Sequence, residues 1–447
     1  MRSPAVTSAP PAMLALAVQA CTSAAFMYSS VFSFFPSRVR HPTNIVTSLS
    51  ANHINIAPSQ AAITAEDVPS VPIPPWYSDS SLSRDRTHVA PTDRGFDYRP
   101  GANGDYVLCQ TMLDVLSKPT SRIVPFQGEN VYVRQIEKGP LGSVQPLFLR
   151  FEECDNSWFC DTEGTISWLG QRESDPDGTS CQSIDVEDGE GESLDYFAID
   201  IPSKIDLSYV LNSDDTQFST VRNFGDMMPS RTHAALLATA NGILTFHRTH
   251  RYCSKCGSPT AQVKAGMARK CTGSTCKTSF YPRIDPAVIM LITSPCHKYA
   301  LLGRKKTWPS GRYSTLAGFL EVGETLEECV VRETFEESGV VLDPKSIRFS
   351  ATQPWPFPRS MMIGFHGTAL PNHLDEDRLP KLDVDPTELE DCKWFDKAFV
   401  RENGLVEGRG SSALDHTPNE DEAEFHVPGP ASLARLLITE WVTGDDF

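Results

Sequence analysis

The C-terminal half of the chain predicts an α/β (α+β) domain, and three features carry that expectation. Val288-Ile289-Met290-Leu291-Ile292 is a continuous apolar run, as in a strand buried on both faces. Residues 325–338 form a helix with its own start and stop signals. Lys393-Trp394-Phe395 and then 431–441 add a strand and a closing helix. Strands and helices in that order suit a sheet covered by helices.

The chain has 447 residues, 40 basic and 57 acidic, for a net charge of −17. At roughly 150 residues per domain, two or three domains fit. A hydrophobic fraction of 40% is enough for ordinary cores and argues against a fully disordered chain. The acidic balance argues against a general nucleic-acid backbone binder, which needs clustered Lys and Arg. It still allows an anionic substrate, because a divalent metal can stand between carboxylates and phosphates. The 12 cysteines do not read as a disulfide framework, and four of them cluster with metal spacing.

Residues 1–100 are rich in Ser, Pro and Ala, with no Asp or Glu before Glu66. They read as a disordered or targeting extension. A mitochondrial transit peptide, a secretory signal, a membrane anchor and a start at Met27 are the alternatives. No membrane association is expected beyond this segment. The C-terminal Thr443-Gly444-Asp445-Asp446-Phe447 is not a Ser-Lys-Leu-type address. An intracellular protein is expected, with cytoplasm, peroxisome and mitochondrion left open. Residues 101–232 are expected as a small N-terminal α+β domain, with strands at Val131-Tyr132-Val133, Leu147-Phe148-Leu149 and Phe197-Ala198-Ile199. An acidic, Gly/Ser-rich tract over 161–195 reads as a surface loop. Residues 233–283 are expected as a helix plus a cysteine ribbon, and 284–447 as the α/β domain.

Cys253-x2-Cys256 and Cys271-x4-Cys276 are separated by 14 residues. Two thiolate pairs so spaced can close a tetrahedral shell around Zn²⁺. Such a shell leaves no open position, so the expected role is structural. Gly257 gives the first knuckle freedom to turn.

Thr325 with Glu328 three residues on resembles a capping box, and Gly339 is a natural helix stop. Within the helix, Glu333 lies three and four residues before Glu336 and Glu337, so their carboxylates share a face. Three such anions need a cation, and hard oxygen ligands select Mg²⁺ or Mn²⁺. Arg332 is placed to orient them through charge-assisted hydrogen bonds. Leu326, Val330 and Thr334 form the inward stripe.

This segment resembles the Nudix box, Gly-x5-Glu-x7-Arg-Glu-U-x-Glu-Glu-x-Gly-U, through Gly318, Glu324, Arg332, Glu333, Glu336, Glu337, Gly339 and Val340. Thr334 departs from the aliphatic U and puts a hydroxyl where the family packs a methyl. Downstream, Gln353-Pro354-Trp355-Pro356-Phe357-Pro358-Arg359-Ser360 resembles the array that marks NADH pyrophosphatases within the superfamily. Three prolines stiffen it and fix Trp355 and Phe357, which could stack on a base or nicotinamide ring. Tyr281-Pro282-Arg283-Ile284-Asp285-Pro286 is similar to the family's ribbon-to-Nudix junction. The resemblance covers about 233–447.

The resemblance implies a Nudix fold behind a zinc ribbon and a divergent N-terminal domain. It implies metal binding by Glu333, Glu336 and Glu337, with the Ala317 carbonyl and Glu388 completing the cluster. It implies a dinucleotide site lined by 353–360, Tyr281 and Ala434, in a homodimer. The implied reaction is hydrolysis of NADH or NAD⁺ to AMP and nicotinamide mononucleotide, with a helix glutamate or Glu388 as general base. Removal of NAD caps from RNA by the same chemistry is an alternative. A non-catalytic interaction module is another, which missing carboxylates would favour, and none is missing.

Overall fold

The computed structural model describes Arg84 and residues 98–100, 106–405 and 425–444, apart from short internal stretches of which 174–192 is the longest. Nearly all of the expected N-terminal extension, and the middle of the acidic tract, lie outside the described residues. Among the described residues no helix is long and apolar enough to cross a membrane.

Tyr98–Pro100 (β1) pairs with Tyr106–Leu108 (β2). The first large sheet is built from Ser121–Gln127 (β3), Asn130–Gln135 (β4), Val144–Pro146 (β5), Thr165–Glu173 (β6), Ser193–Asp200 (β7) and Thr216–Thr220 (β8). Its order is β5-β4-β3-β7-β6, with β8 also on β4, and only β3 and β7 run parallel. The strands expected at 131–133 and 197–199 lie inside β4 and β7. The one expected at 147–149 is displaced to β5, and Leu149 makes an isolated bridge to Ile123. The loop expected over 161–195 contains β6 and begins β7. Ile166, Trp168 and Leu169 are fully buried there, and their burial overrides the surrounding charge.

Helix Arg231–Thr249 starts at Ser230, whose Oγ accepts from the His233 N–H at 3.3 Å. Its Leu236, Leu237, Ala240 and Leu244 join Val124, Phe126 and Ala198 in one core. The boundary expected at 233 therefore divides this helix from the sheet it covers. The ribbon follows as Thr260–Val263 (β9), Ala268–Cys271 (β10) and Ser279–Phe280 (β11), in the order β11-β10-β9.

The second large sheet uses Asp285–Thr293 (β12), Tyr299–Arg304 (β13), Leu316–Phe319 (β14), Arg348–Trp355 (β15), Ser360–Thr368 (β16) and Asp391–Asp396 (β17). The order is β15-β16-β12-β13-β17, with β14 on β12 and the β12/β16 pair parallel. β12 is the apolar run, and its alternation serves two cores. Val288, Met290 and Ile292 pack with Cys329 and Val330 of helix Leu326–Ser338. Ile289 and Leu291 pack with Leu433, Leu437 and Trp441 of the last helix, Leu433–Thr443. Two helices thus cover opposite faces of the sheet, and the first of them carries the carboxylates.

Candidate active site

The carboxylate helix begins with a complete capping box. Thr325 Oγ1 accepts from the Glu328 N–H at 3.3 Å, and Glu328 Oε2 accepts from the Thr325 N–H at 2.9 Å. Gly339 ends it in the left-handed region, at φ +72°. The Thr334 hydroxyl, which departs from the box, is buried and donates to the Val330 carbonyl at 2.7 Å. The polar group is thereby satisfied within its own helix. Gly318 on β14 has a steric reason. A Cβ there would stand 1.8 Å from Glu333 Cδ, so only glycine admits that carboxylate.

Glu333, Glu337 and Glu388 each bring a carboxylate oxygen within 4.8 Å of the others. Glu337 is buried, and its Oε2 has no hydrogen-bond partner. Burial pushes its pKa up to about 8, against the pull of Lys305 and a backbone hydrogen bond from Ala317. Burial likewise raises Glu333, against hydrogen bonding from Arg332. An orphaned oxygen beside two more carboxylates is what a hard divalent cation satisfies, so the residues present fit the metal that the box implies.

Arg332 organises the rim of this group. It binds Glu324 through two bonds, Nε to Oε1 at 2.7 Å and Nη2 to Oε2 at 2.9 Å, and holds that carboxyl down to about 2. It also donates to Glu333 at 2.8 Å and to the Phe319 carbonyl at 3.0 Å. Glu336 is turned to the same guanidinium, at 2.9 Å, with half its side chain exposed. The structure therefore groups Glu388 with two helix carboxylates and leaves Glu336 outside that cluster.

Beside the carboxylates lies a cavity of about 310 Å³. Of the expected residues, Ala317, Glu337, Gln353, Trp355 and Ala434 line it. The rest of the Pro-rich array does other work. β15 and β16 form a hairpin whose turn packs on helix Arg231–Thr249. There Asn241 Nδ2 donates to the Pro356 carbonyl at 2.6 Å, and a Cβ at Gly242 would lie 3.6 Å from Arg359 Cγ. Phe357 packs against the N-terminal core, and Ser360 is buried. Pro354 and Pro358 do not line the cavity. Gln353 is buried, and both its amide nitrogen and its amide oxygen are hydrogen-bonded. Its Nε2 donates to the Ala431 carbonyl at 2.6 Å, and its Oε1 accepts from the Leu433 N–H at 2.9 Å. It ties the hairpin to the last helix. Tyr281 is 54% exposed and engages Lys264, away from this cavity.

Among the cavity residues that the sequence does not single out are the cationic and aromatic Arg222, Lys305, Trp308 and Arg312. The last three stand in Lys305-Lys306-Thr307-Trp308-Pro309-Ser310-Gly311-Arg312, a basic and aromatic stretch after β13 in an acidic chain, which is the available signal. Arg222 lies in the short helix Val221–Phe224 directly after β8, and no local pattern marks it.

In the ribbon, all four cysteine sulfurs lie within 4.8 Å of one another. The Cys253–Cys276 and Cys256–Cys271 sulfurs are 3.8 and 3.4 Å apart. A tetrahedron with Zn–S bonds of about 2.3 Å has edges of about 3.8 Å, so these sulfurs fit zinc. Gly257, at φ +72°, donates its N–H to the Cys253 carbonyl at 2.8 Å and turns the first knuckle. The Gly273 N–H donates to the Cys271 sulfur at 3.3 Å. Hydrogen bonds from Thr278 pull the Cys276 thiol down to about 6, toward the thiolate a metal needs.

A mixed sheet between two helices, with the Gly318–Val340 signature on the first helix, defines a Nudix domain. Residues 283–410 match the NUDIX domain family, and 248–281 match the NADH pyrophosphatase zinc ribbon domain. The chain therefore carries a Nudix domain joined to a zinc ribbon of the NADH pyrophosphatase type. It is 34% identical over 215 residues to the NAD-capped RNA hydrolase NUDT12 of Homo sapiens, covering 47% of this chain and 42% of that protein. It is 36% identical over 223 residues to the NAD-capped RNA hydrolase NudC of Mycobacterium bovis, covering 49% and 64%. It is 39% identical over 210 residues to the mitochondrial NAD(P)H pyrophosphatase NUDT13 of Mus musculus, covering 47% and 55%. The matched part thus spans between 42% and 64% of these relatives' lengths.

Proposed function

We propose that the chain hydrolyses the pyrophosphate bond of NADH and NAD⁺, giving AMP and nicotinamide mononucleotide in the matching redox state. The observation that carries this reading is the cavity that brings Glu337 of the three-carboxylate cluster together with Trp355 of the Pro-rich hairpin. Glu333, Glu337 and Glu388, with the Ala317 carbonyl, would hold Mg²⁺ or Mn²⁺. Such a metal supplies a water of lowered pKa and neutralises charge on the leaving phosphate. Arg332 fixes Glu333 and Glu324 in place, Lys305 offers a cation to the phosphates, and Trp355 offers a face to one ring. Any of the clustered glutamates can take the proton from the attacking water.

The test is product analysis of the full chain with NADH, NAD⁺ and NAD-capped RNA in Mg²⁺ and in Mn²⁺. AMP and nicotinamide mononucleotide from the free dinucleotides are expected. Absence of cleavage in both metals overturns the proposal. Release of nicotinamide mononucleotide from capped RNA is the second reading, favoured by relatives named as NAD-capped RNA hydrolases. We also propose a homodimer, supported by the exposure of Tyr252, Tyr281 and Ile284 on the ribbon and its junction. Sedimentation at twice the 49.3 kDa chain mass tests it.

Trp355→Ala is expected to lower kcat/KM for NADH roughly tenfold or more, since stacking one ring contributes about 1–3 kcal/mol. ADP-ribose, if cleaved, should lose much less. Equal losses at unchanged melting temperature would assign Trp355 to the fold. Gly318→Ala is expected to displace the Glu333 carboxylate, because the new methyl overlaps it. A shift of about 1 Å in a reacting group costs on the order of 100-fold in rate. A wild-type rate for this variant would remove Glu333 from the site.

A further inference from the structure

We propose that the cysteine ribbon holds the phosphate backbone of single-stranded RNA. The choice of RNA rests on the capped-RNA reading above, while the charge pattern behind it stands on its own. The whole chain carries −17, yet no Asp or Glu occurs between Asp226 and Asp285. Residues 248–284 alone hold eight Lys and Arg. A zinc ion with four thiolates carries −2, so this segment stays at +6. The chain's net charge conceals the island, and phosphate binding depends on local clustering.

Two of the eight cations are committed inside the fold. Arg248 pairs with Asp200 at 2.8 Å, and Arg269 is buried against Thr260 and His247. Lys255, Lys264, Lys277 and Arg283 are exposed, and among the described residues none of these four forms an ion pair. Lys255 precedes Cys256 and Lys277 follows Cys276. The close sulfurs bring the two knuckles together, so each presents one cation beside the other. Exposed Ser254 and Thr275 add hydroxyls to the same knuckles. Lysines and hydroxyls are the groups that grip phosphate oxygens.

The positive charge continues toward the cavity. The Asp285 N–H donates to the Arg359 carbonyl at 3.0 Å, which sets the end of the ribbon beside the turn of the Trp355 hairpin. Arg359 has its Nε and Nη1 buried without a hydrogen-bond partner. The charges of Arg359, Arg269 and Arg283 all reach His250, whose imidazole is lowered first by burial and then by them. Cations thus run from the knuckles to the hairpin that lines the cavity. An anionic bilayer would meet the same charge, but residues 250–284 form strands and turns, with no amphipathic helix to enter it.

The experiment titrates a short, uncapped, fluorescent single-stranded RNA with the full, zinc-loaded chain and reads anisotropy at several salt concentrations. Contacts from the four exposed cations predict a slope of log K against log salt of about −3. Lys255→Gln/Lys277→Gln should weaken binding about tenfold and make the slope shallower by about 1.4. Its melting temperature and zinc content should match the wild-type chain, and Lys255→Arg/Lys277→Arg should bind as wild type. Arg283→Gln, outside the knuckles, should make the slope shallower by about 0.7. In the knuckle variant kcat/KM should hold for NADH and fall for NAD-capped RNA. Unchanged RNA affinity in both Gln variants overturns the inference and leaves the hydrolase reading standing. Binding to phosphatidylserine vesicles without binding to RNA also overturns it, and gives the patch to a membrane. Failure of the wild-type chain to cleave any dinucleotide or cap overturns the hydrolase reading and not the ribbon's grip on RNA.

Discussion

Glu337→Gln is expected to lower kcat about 1000-fold or more while leaving the fold intact. The substitution keeps the shape and removes one anionic ligand. Losing metal charge from the transition state costs several kcal/mol in sites of this kind, and about 4 kcal/mol is three orders of magnitude in rate. The variant should also separate chemistry from stability. The Glu337 carboxyl is raised from an ordinary 4.5 to about 8 in the folded chain, chiefly by burial. Between those values the unfolded chain has released this proton and the folded one retains it. Without metal, folding stability should therefore fall as pH rises from about 4.5 to 8. The Gln variant lacks this contribution, so its melting temperature should hold up better across that range. A near-wild-type rate for Glu337→Gln in saturating Mg²⁺ or Mn²⁺ would refute the role of this residue.

Cys256→Ser should abolish zinc binding and lower thermal stability sharply, and a strong chelator should do the same to the wild-type chain. Cys256 suits the test because it is exposed, whereas Cys253 and Cys271 are buried. Its replacement acts through the metal and not through lost packing. Structural zinc contributes roughly 10 kcal/mol or more to small ribbons. The loss should spread to the neighbouring helix, because His247 Nε2 bonds the Gly266 carbonyl at 2.6 Å and Arg269 bonds His247 Nδ1 at 3.1 Å. Elemental analysis should find one Zn²⁺ per chain, and reduced, purified protein without zinc would contradict the four-sulfur site.

The features that local sequence encodes were legible. The Thr325–Glu328 box, the Gly339 stop and the doubly buried run in β12 all form as expected, because each depends on residues a few positions apart. Three glutamates on one helix read as a trio, yet 100° per residue brings Glu333 and Glu337 closer in angle than Glu336. Arg332 takes Glu336, and a loop residue far along the chain, Glu388, joins the other two. The Pro-rich array read as one lining surface. Strand alternation instead turns Gln353 and Trp355 to the cavity, and the turn beyond them packs on a helix. Arg222 and the N-terminal sheet left little trace, because their partners are set by tertiary packing rather than by spacing.

The hairpin that carries Trp355 also seals the core of the N-terminal sheet. Trp355 and Phe357 pack against that core, and Asn241 holds the Pro356 carbonyl. Apolar surface shared in this way cannot be uncovered on one side alone. The N-terminal sheet and the carboxylate-bearing sheet should thus open in a single cooperative unfolding step. A ligand seated on Trp355 should stabilise both by mass action. The backbone amides of β3 and β7 should then exchange their hydrogens more slowly when the cavity is filled, although those strands contribute no residue to its wall.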